Sequence, residues 1–332
     1  MPAHRRLLAL ATALLLATTA VLSSATQVTA AEPTGRGGSN FTWFRLDGCN
    51  REPYSTISAF NQAEPEIRSV LKQLYDGGQR RLRIGIFHQR GHAPGGTVMD
   101  SAGGDLSAQN RANLSGFLAA IKQAGFLEIE VAFHPIGVND PHGWKSFSAS
   151  HYAENRDLIG NLRPLIAAAG LPYTIDLLNE GLPMTTEPIL QDYSTRLWAH
   201  YTGRFGKGDT VGFSMTVWIA NRVETMASVY GGNLPDVFDV HLYGDDRGNG
   251  DEYEQFVAAH QAMAERGYSQ GWIIGEVHYA DAAAAGKIRR AMADTGRTVF
   301  YLTQWPWTRA KRCPDVDVAP PTDFAAYLAE GF

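Results

Sequence analysis

Cysteine is scarce in this chain: Cys49 and Cys313 are the only two in 332 residues, which leaves room for one disulfide at most. Positive charge is not in excess either. Lys and Arg total 29 against 34 Asp and Glu, a net charge of −5, so there is no electrostatic ground for binding nucleic acid or anionic lipid. Beyond the first segment no run is apolar enough over about 20 residues to cross a bilayer. No Gly-rich fingerprint follows the first predicted strand, which counts against a dinucleotide-binding sheet. Gly95-Gly96 and Gly103-Gly104 lack the Lys and helix context of a phosphate loop. That strand also has no His-x-His pair, as a metallohydrolase barrel would want. Asp245–Asp251 lacks the ligand spacing and terminal Glu of a calcium loop. Neither a cofactor nor a metal is expected.

What is present begins with a leader. Arg5 and Arg6 precede an apolar run from Leu7 to Val21, and small residues follow at Thr29-Ala30-Ala31. That is the layout of a secretory signal peptide, so residues 1–31 are expected to be removed and the protein to be extracellular. Residues 32–40, rich in Gly, Pro, Ser and Thr, are expected to form a flexible mature N-terminus. Residues 41–332 then form the folded part, about 290 residues and one large domain. In an oxidising compartment Cys49 and Cys313 are expected to pair. Closing so long a loop contributes up to about 5 kcal/mol in the chain-entropy picture. The expected state is a monomer, free of the membrane once the leader is gone.

Within that domain, β-branched and aromatic runs alternate with helix-spaced segments. The runs are Phe41–Asp47, Arg81–His88, Glu128–His134, Tyr173–Glu180, Val211–Trp218, Val237–Tyr243, Trp272–Tyr279 and Thr298–Trp305. Helices are predicted over Ala63–Tyr75, Ser107–Ala124, Tyr152–Ala169, Pro188–Phe205, Arg222–Val229, Asp251–Arg266, Asp281–Thr295 and Asp323–Glu330. Gly78, Gly125, Gly170, Gly206 and Gly267 follow five of these, where a left-handed residue closes a helix. Strand–helix alternation implies right-handed parallel crossovers, and eight units in this length predict a single (β/α)₈ barrel. The competing architecture is an open doubly wound sheet.

A barrel of this kind does its chemistry at the carboxyl ends of the strands, and the polar residues gather there. The fourth run ends Leu178-Asn179-Glu180-Gly181, and the seventh reads Ile274-Gly275-Glu276-Val277-His278-Tyr279. The second ends in His88, the third in His134, the sixth in His241-Leu242-Tyr243, the eighth in Gln304-Trp305. A carboxylate ending an apolar strand is costly unless paired. Two of them facing across the barrel mouth are what glycoside hydrolysis needs, one to protonate the leaving oxygen and one to attack the anomeric carbon.

At Asn179-Glu180 and Glu276, and in strand order over the whole domain, the chain resembles the clan A glycoside hydrolases. The resemblance implies a retaining enzyme that cleaves β-glycosidic bonds of a poly- or oligosaccharide, with Glu180 as acid/base and Glu276 as nucleophile. It further implies that Asn179 binds the sugar 2-hydroxyl, that Arg83 keeps the nucleophile ionised, and that Tyr243 donates to it. His241 would line the same floor. Trp305 would lie under the sugar at the cleavage point, with His134 and Trp218 contacting substrate and Trp144 and Trp307 as further candidates. The motif departs from many relatives at Gly181, where they have proline, and at Leu177-Leu178, which leaves the subfamily and the sugar open. Two rival readings remain: a carbohydrate-binding barrel without catalysis, and a metal-dependent hydrolase on the same fold.

Overall fold

Along Arg81–Gln89 the side chains alternate between two destinations, as strand pleating requires. Leu82, Ile84 and Ile86 join the apolar core. Arg83, one step out of phase, reaches instead to Glu130, Asp176 and Glu276. The pattern repeats in neighbouring strands, and it belongs to a closed barrel with helices outside and a lined lumen inside. The computed structural model describes residues 37–44, 55–92, 96–244, 248–306 and 322–332. The leader, Asp47, Cys49, Trp307 and Cys313 lie outside them.

The barrel strands are β1 (Gly38–Asn40), β2 (Arg81–Gln89), β3 (Glu128–Pro135), β4 (Tyr173–Asp176), β5 (Thr210–Gly212), β6 (Val237–Leu242), β7 (Gly271–Val277) and β8 (Val299–Gln304). All neighbouring pairs are parallel, from β1 beside β2 round to β8 beside β1. Between β5 and β6 the ladder shrinks to one bridge at Met215 and Val240. There Met215 N–H donates to Asp239 O at 3.0 Å and His241 N–H to Met215 O at 2.7 Å, closing the ring. A two-residue strand, Met99–Asp100, pairs outside β2.

The helices cover the outer face. They include α1 (Phe60–Asp76), α2 (Ala108–Ala124), α3 (Ala149–Ala168), α4 (Pro188–Phe205), α5 (Ile219–Val223), α6 (Met226–Tyr230), α7 (Glu252–Ala264), α8 (Ala282–Thr295) and α9 (Ala325–Ala329). α2 shows why local sequence suffices for such an element. Ser107 caps it by accepting the Asn110 N–H, Gly125 ends it in the left-handed region, and Leu114, Phe117, Leu118 and Ile121 form its buried face.

Three expectations are corrected. Among the described residues the first strand is Gly38–Asn40, buried, and the described part of the expected run, Phe41–Phe44, follows it outside the ladder, so the N-terminal segment expected to be flexible to residue 40 already contributes to the barrel. Its short polar residues carry little strand propensity and are recruited by pairing on both sides, with β2 and β8. The helix expected over Arg222–Val229 is two short helices, because Thr225 between them bonds with its side chain to Pro183 O and Arg222 O. The fourth run leaves the ladder at Asp176, and its last residues form an irregular turn.

Candidate active site

Arg83 is fully buried in the middle of the lumen, where an unpaired guanidinium would be very costly. Every arm is used. Nε donates to Glu130 Oε1 at 2.7 Å, Nη1 to Glu276 Oε1 at 2.8 Å and Asn40 Oδ1 at 3.2 Å. Nη2 donates to Asp176 Oδ2 at 2.9 Å and Asn179 Oδ1 at 2.8 Å. Burial opposes its charge, but the surrounding carboxylates raise it well above its ordinary value.

Three further carboxyls, Glu130, Asp176 and Asp239, share this layer and are wholly inaccessible. So many negative groups around one arginine cannot all ionise cheaply. Burial, with Asp239 beside it, pushes Glu130 well up against the pull of Arg83, whereas His241 and Arg83 hold Asp239 down against burial. These directions favour the neutral form of Glu130 and the charged form of Asp239.

Asp239 also fixes β7. Its Oδ1 accepts the Gly275 N–H at 2.8 Å, while Asn40 Nδ2 donates to Gly275 O at 2.8 Å. A Cβ on Gly275 would stand 2.5 Å from Asp239 Oδ1, so only glycine allows this approach. The β6–β7 register skips Gly275, pairing Val240 with Ile274 and then His241 with Glu276. That irregularity turns Glu276 inward directly after an inward-facing Gly275, which strict alternation would forbid.

Glu276, 5% exposed, receives Arg83 on Oε1 and the Tyr243 hydroxyl on Oε2 at 2.7 Å. Burial pushes it above the usual carboxylate range, against the pull of His241 and Arg83 and with some help from Glu180. Glu180 lies on the turn after β4, in the left-handed region at φ 55°. Its N–H donates to Ser214 Oγ at 2.7 Å, and Ser214 in turn donates to Asp176 Oδ2 at 2.7 Å. Its side chain is one-third exposed, unlike Glu276. Burial raises it, but His241, with Thr216 and Arg222, holds it at about 2.

His241 joins the two. Its Nδ1 lies 3.2 Å from Glu180 Oε1 and 3.7 Å from Glu276 Oε2, and its Nε2 lies 3.5 Å from Asp239 Oδ2. Burial disfavours the imidazolium, yet Glu276 and Asp239 raise it well above its ordinary value. One oxygen of each glutamate and one nitrogen of His241 lie within 4.8 Å of one another. A cation would find these atoms already engaged, since Arg83 and Tyr243 occupy both oxygens of Glu276.

Beside the carboxyls stands an aromatic wall. Trp305 meets Trp43 edge-on at 5.5 Å and stacks on His134 at 6.3 Å, and His134 stacks on Phe87 at 4.2 Å. His134 is held neutral, lowered by burial and then by Arg83 and His241. Trp305 is half-buried and is placed by its N–H to Val277 O, next to Glu276. Trp218 stands on the rim, 43% exposed and left-handed at φ 63°, two residues beyond Thr216.

The geometry thus gathers Glu180, Glu276, Asn179, Arg83, His241 and Tyr243 into one bonded cluster, with His134 within electrostatic reach of Arg83 and His241 and Trp305 stacked on His134. His88 is not among them. It faces the shell, bonded to Ser101 and pushed down to about 3 by burial. Trp144 is a packing residue, with Nε1 on Val138 O and its ring against Tyr193. Reading by strand ends missed Asn40, Glu130, Asp176, Ser214 and Asp239. The signal for three of them was the acidic residue inside an otherwise apolar strand.

No protein-family model matches this chain, and no curated protein does. Solved structures do. A GH5 subfamily 18 protein from Bifidobacterium longum, in complex with Manβ1-4GlcNAc, superposes with TM-score 0.60 at 13% identity, over 90% of this chain and 78% of that one. A GH5 lichenase from Caldicellulosiruptor, a mutant bound to cellotetraose, gives 0.53 at 9% identity, over 90% and 93%. An endo-1,4-β-mannanase from Eisenia fetida gives 0.52 at 12%, over 89% and 91%. Identity at this level speaks to architecture: the chain is built on the (β/α)₈ barrel that these glycoside hydrolases share.

Proposed function

We propose that the protein is a retaining β-glycosidase acting on a β-linked oligo- or polysaccharide by double displacement, without a cofactor. The observation that carries this reading is the pair Glu180 and Glu276, with oxygens within 4.8 Å across the lumen. Retaining chemistry wants carboxyls about 5–5.5 Å apart, and inversion wants about 6.5–9.5 Å to admit a water.

Glu276 is the nucleophile, its ionised form supported by Arg83 and by the Tyr243 hydroxyl. One of its oxygens bonds to the anomeric carbon as the glycosidic C–O bond breaks. Glu180 gives a proton to the departing oxygen, then takes one from the water that cleaves the glycosyl–enzyme ester. In the unliganded site that proton belongs to His241, whose Nδ1 faces Glu180 Oε1 at 3.2 Å. Its transfer converts an imidazolium–carboxylate pair into a neutral pair, the form general acid catalysis requires. Asn179 gives its oxygen to Arg83, leaving its NH₂ for the sugar 2-hydroxyl. Trp305, with His134 behind it, offers a ring face to the sugar. Trp218 serves a sugar further out on the acid/base side.

The ligands of the similar structures, Manβ1-4GlcNAc and cellotetraose, make β-mannosyl and β-glucosyl units the first glycones to try. The leader and the two cysteines support export and a Cys49–Cys313 disulfide, in a monomeric mature protein. The deciding experiment is labelling with activated 2-fluoro glycosides, read by peptide mass. A glycosyl adduct on Glu276 is expected, and an adduct on Glu180 would reverse the roles. A folded protein that no member of a broad glycone panel labels would point to a barrel that binds sugar without cleaving it.

A further inference from the structure

Glu180 occupies a backbone conformation that side-chain-bearing residues rarely adopt, at φ 55°. Such a residue persists only when its surroundings hold it there. One hold is the Ser214 hydroxyl on its N–H. The other comes from the loop after β3. His142 Nε2 lies 3.3 Å from Glu180 O, while its Nδ1 lies 2.8 Å from Asp140 Oδ1. Both ring nitrogens therefore face oxygen acceptors. A neutral imidazole has one N–H and can serve only one of them, whereas the imidazolium serves both.

The base beneath His142 is firm. Asp140 Oδ1 also accepts the His142 N–H at 3.0 Å, capping the short 3₁₀ turn Pro141–Gly143. Asn139, completely buried, donates to Glu154 and Asn155 and accepts from the Arg90 N–H. Trp144 locks the far side through Val138 O. The charged groups acting on the ring are Asp140 on its own turn and the Glu180 carboxyl opposite. Burial works against protonation, but these two carboxylates and the bond to Glu180 O leave the ring above its ordinary value.

We propose that His142 is a positioning residue that donates from both ring nitrogens and clamps the Glu180 peptide in the turn that aims its carboxyl. The inference rests on the acid/base role proposed for Glu180. It adds a cause, outside the lumen network, for that carboxyl's direction. Losing the clamp lets the carboxyl wander from the leaving oxygen, and a misplacement near 1 Å costs about 100-fold in a proton transfer that demands alignment. A substrate whose leaving group departs without protonation escapes that loss.

The test uses His142→Ala, His142→Gln and Glu180→Ala in the full mature chain, with dinitrophenyl and phenyl glycosides of one glycone, β-cellobiosyl or β-mannosyl. His142→Ala is expected to lower kcat/KM for the phenyl glycoside about 10- to 100-fold and for the dinitrophenyl glycoside no more than about threefold. The amide of His142→Gln donates to Glu180 O without titrating and should recover most of the loss. Equal losses on both substrates, or none on either, would overturn the clamp. Glu180→Ala separates the two ideas. If it shows no leaving-group dependence, the acid/base reading itself fails; if it does and His142→Ala does not, the clamp alone fails. Imidazole ¹⁵N NMR gives a readout independent of turnover, with the His142 signal assigned by its absence in His142→Gln. Protonation of both nitrogens at neutral pH is expected, and a neutral ring would overturn the proposal.

Discussion

On β2, Leu82, Ile84 and Ile86 point outward among helix side chains, and Arg83 between them points inward among carboxyls. Phe133 and Glu130 on β3, and Val240 and Asp239 on β6, divide in the same way. The outer face is stabilised by area removed from water and by close packing, which many sequences satisfy. The inner face consists of buried charges that stabilise little net and suffer badly when one partner is lost. The same strands thus carry a tolerant surface and an intolerant one. A lumen this polar is what a binding or catalytic floor requires, and it is a poor way to build a core.

The sharpest break in that comparison is expected at Glu276. Glu276→Gln keeps the shape and removes the charge, so turnover should fall by at least about 10⁴-fold while thermal unfolding moves little. Near-native turnover in that variant would sink the nucleophile assignment. Next comes Arg83→Met, which strands Glu276, Asp176 and the Glu130–Asp239 pair without their cation. A loss of about 3–5 kcal/mol in denaturant unfolding is expected, together with loss of activity. A stable, fully active variant would show that the lumen network does not depend on its arginine.

On the outer face, Ile84→Ala should cost about 2–4 kcal/mol through the cavity it leaves, with kcat/KM unchanged at a temperature where it stays folded. If its activity fell as far as its stability, the two faces would not be separable. The smallest effect is expected at Glu130→Gln. Burial and Asp239 favour the neutral form of Glu130, so a neutral isostere that keeps its oxygen for Arg83 should change stability by less than about 1 kcal/mol. A large loss would mean that Glu130 is ionised.

The pH profile examines the same network as a whole. Burial raises Glu276, and in the proposed role as nucleophile it would work only when deprotonated. The acid limb of kcat/KM should therefore lie above the pH at which an ordinary carboxylate of about 4.3 titrates. Glu276→Asp should move this limb, and a limb unmoved by that change would belong to another group. The alkaline limb should report loss of the proton proposed to pass from His241 to Glu180, whose Nδ1 and Oε1 lie 3.2 Å apart.

Much of the barrel was legible along the chain. α2 carried its N-cap, its apolar spacing and its terminal glycine within a single segment, and those are local properties. β1 was not legible, because Gly38-Ser39-Asn40 is strand only through its neighbours β2 and β8. Glu180 and Glu276 stood out as carboxylates ending apolar runs. Asp239 and Glu130 did not, because an acid in the middle of a strand has no partner visible in its own segment.

By itself the sequence determined the alternation of strand and helix, the count of eight units and the two glutamates at the right ends, since period and capping act within a few residues. Only the tertiary structure decided that Arg83 would face inward to five acceptors, that the skipped Gly275 would turn Glu276 into the lumen, and that His142 would reach Glu180. Each of these joins residues far apart along the chain, and their distances exist only once the ring of strands has closed.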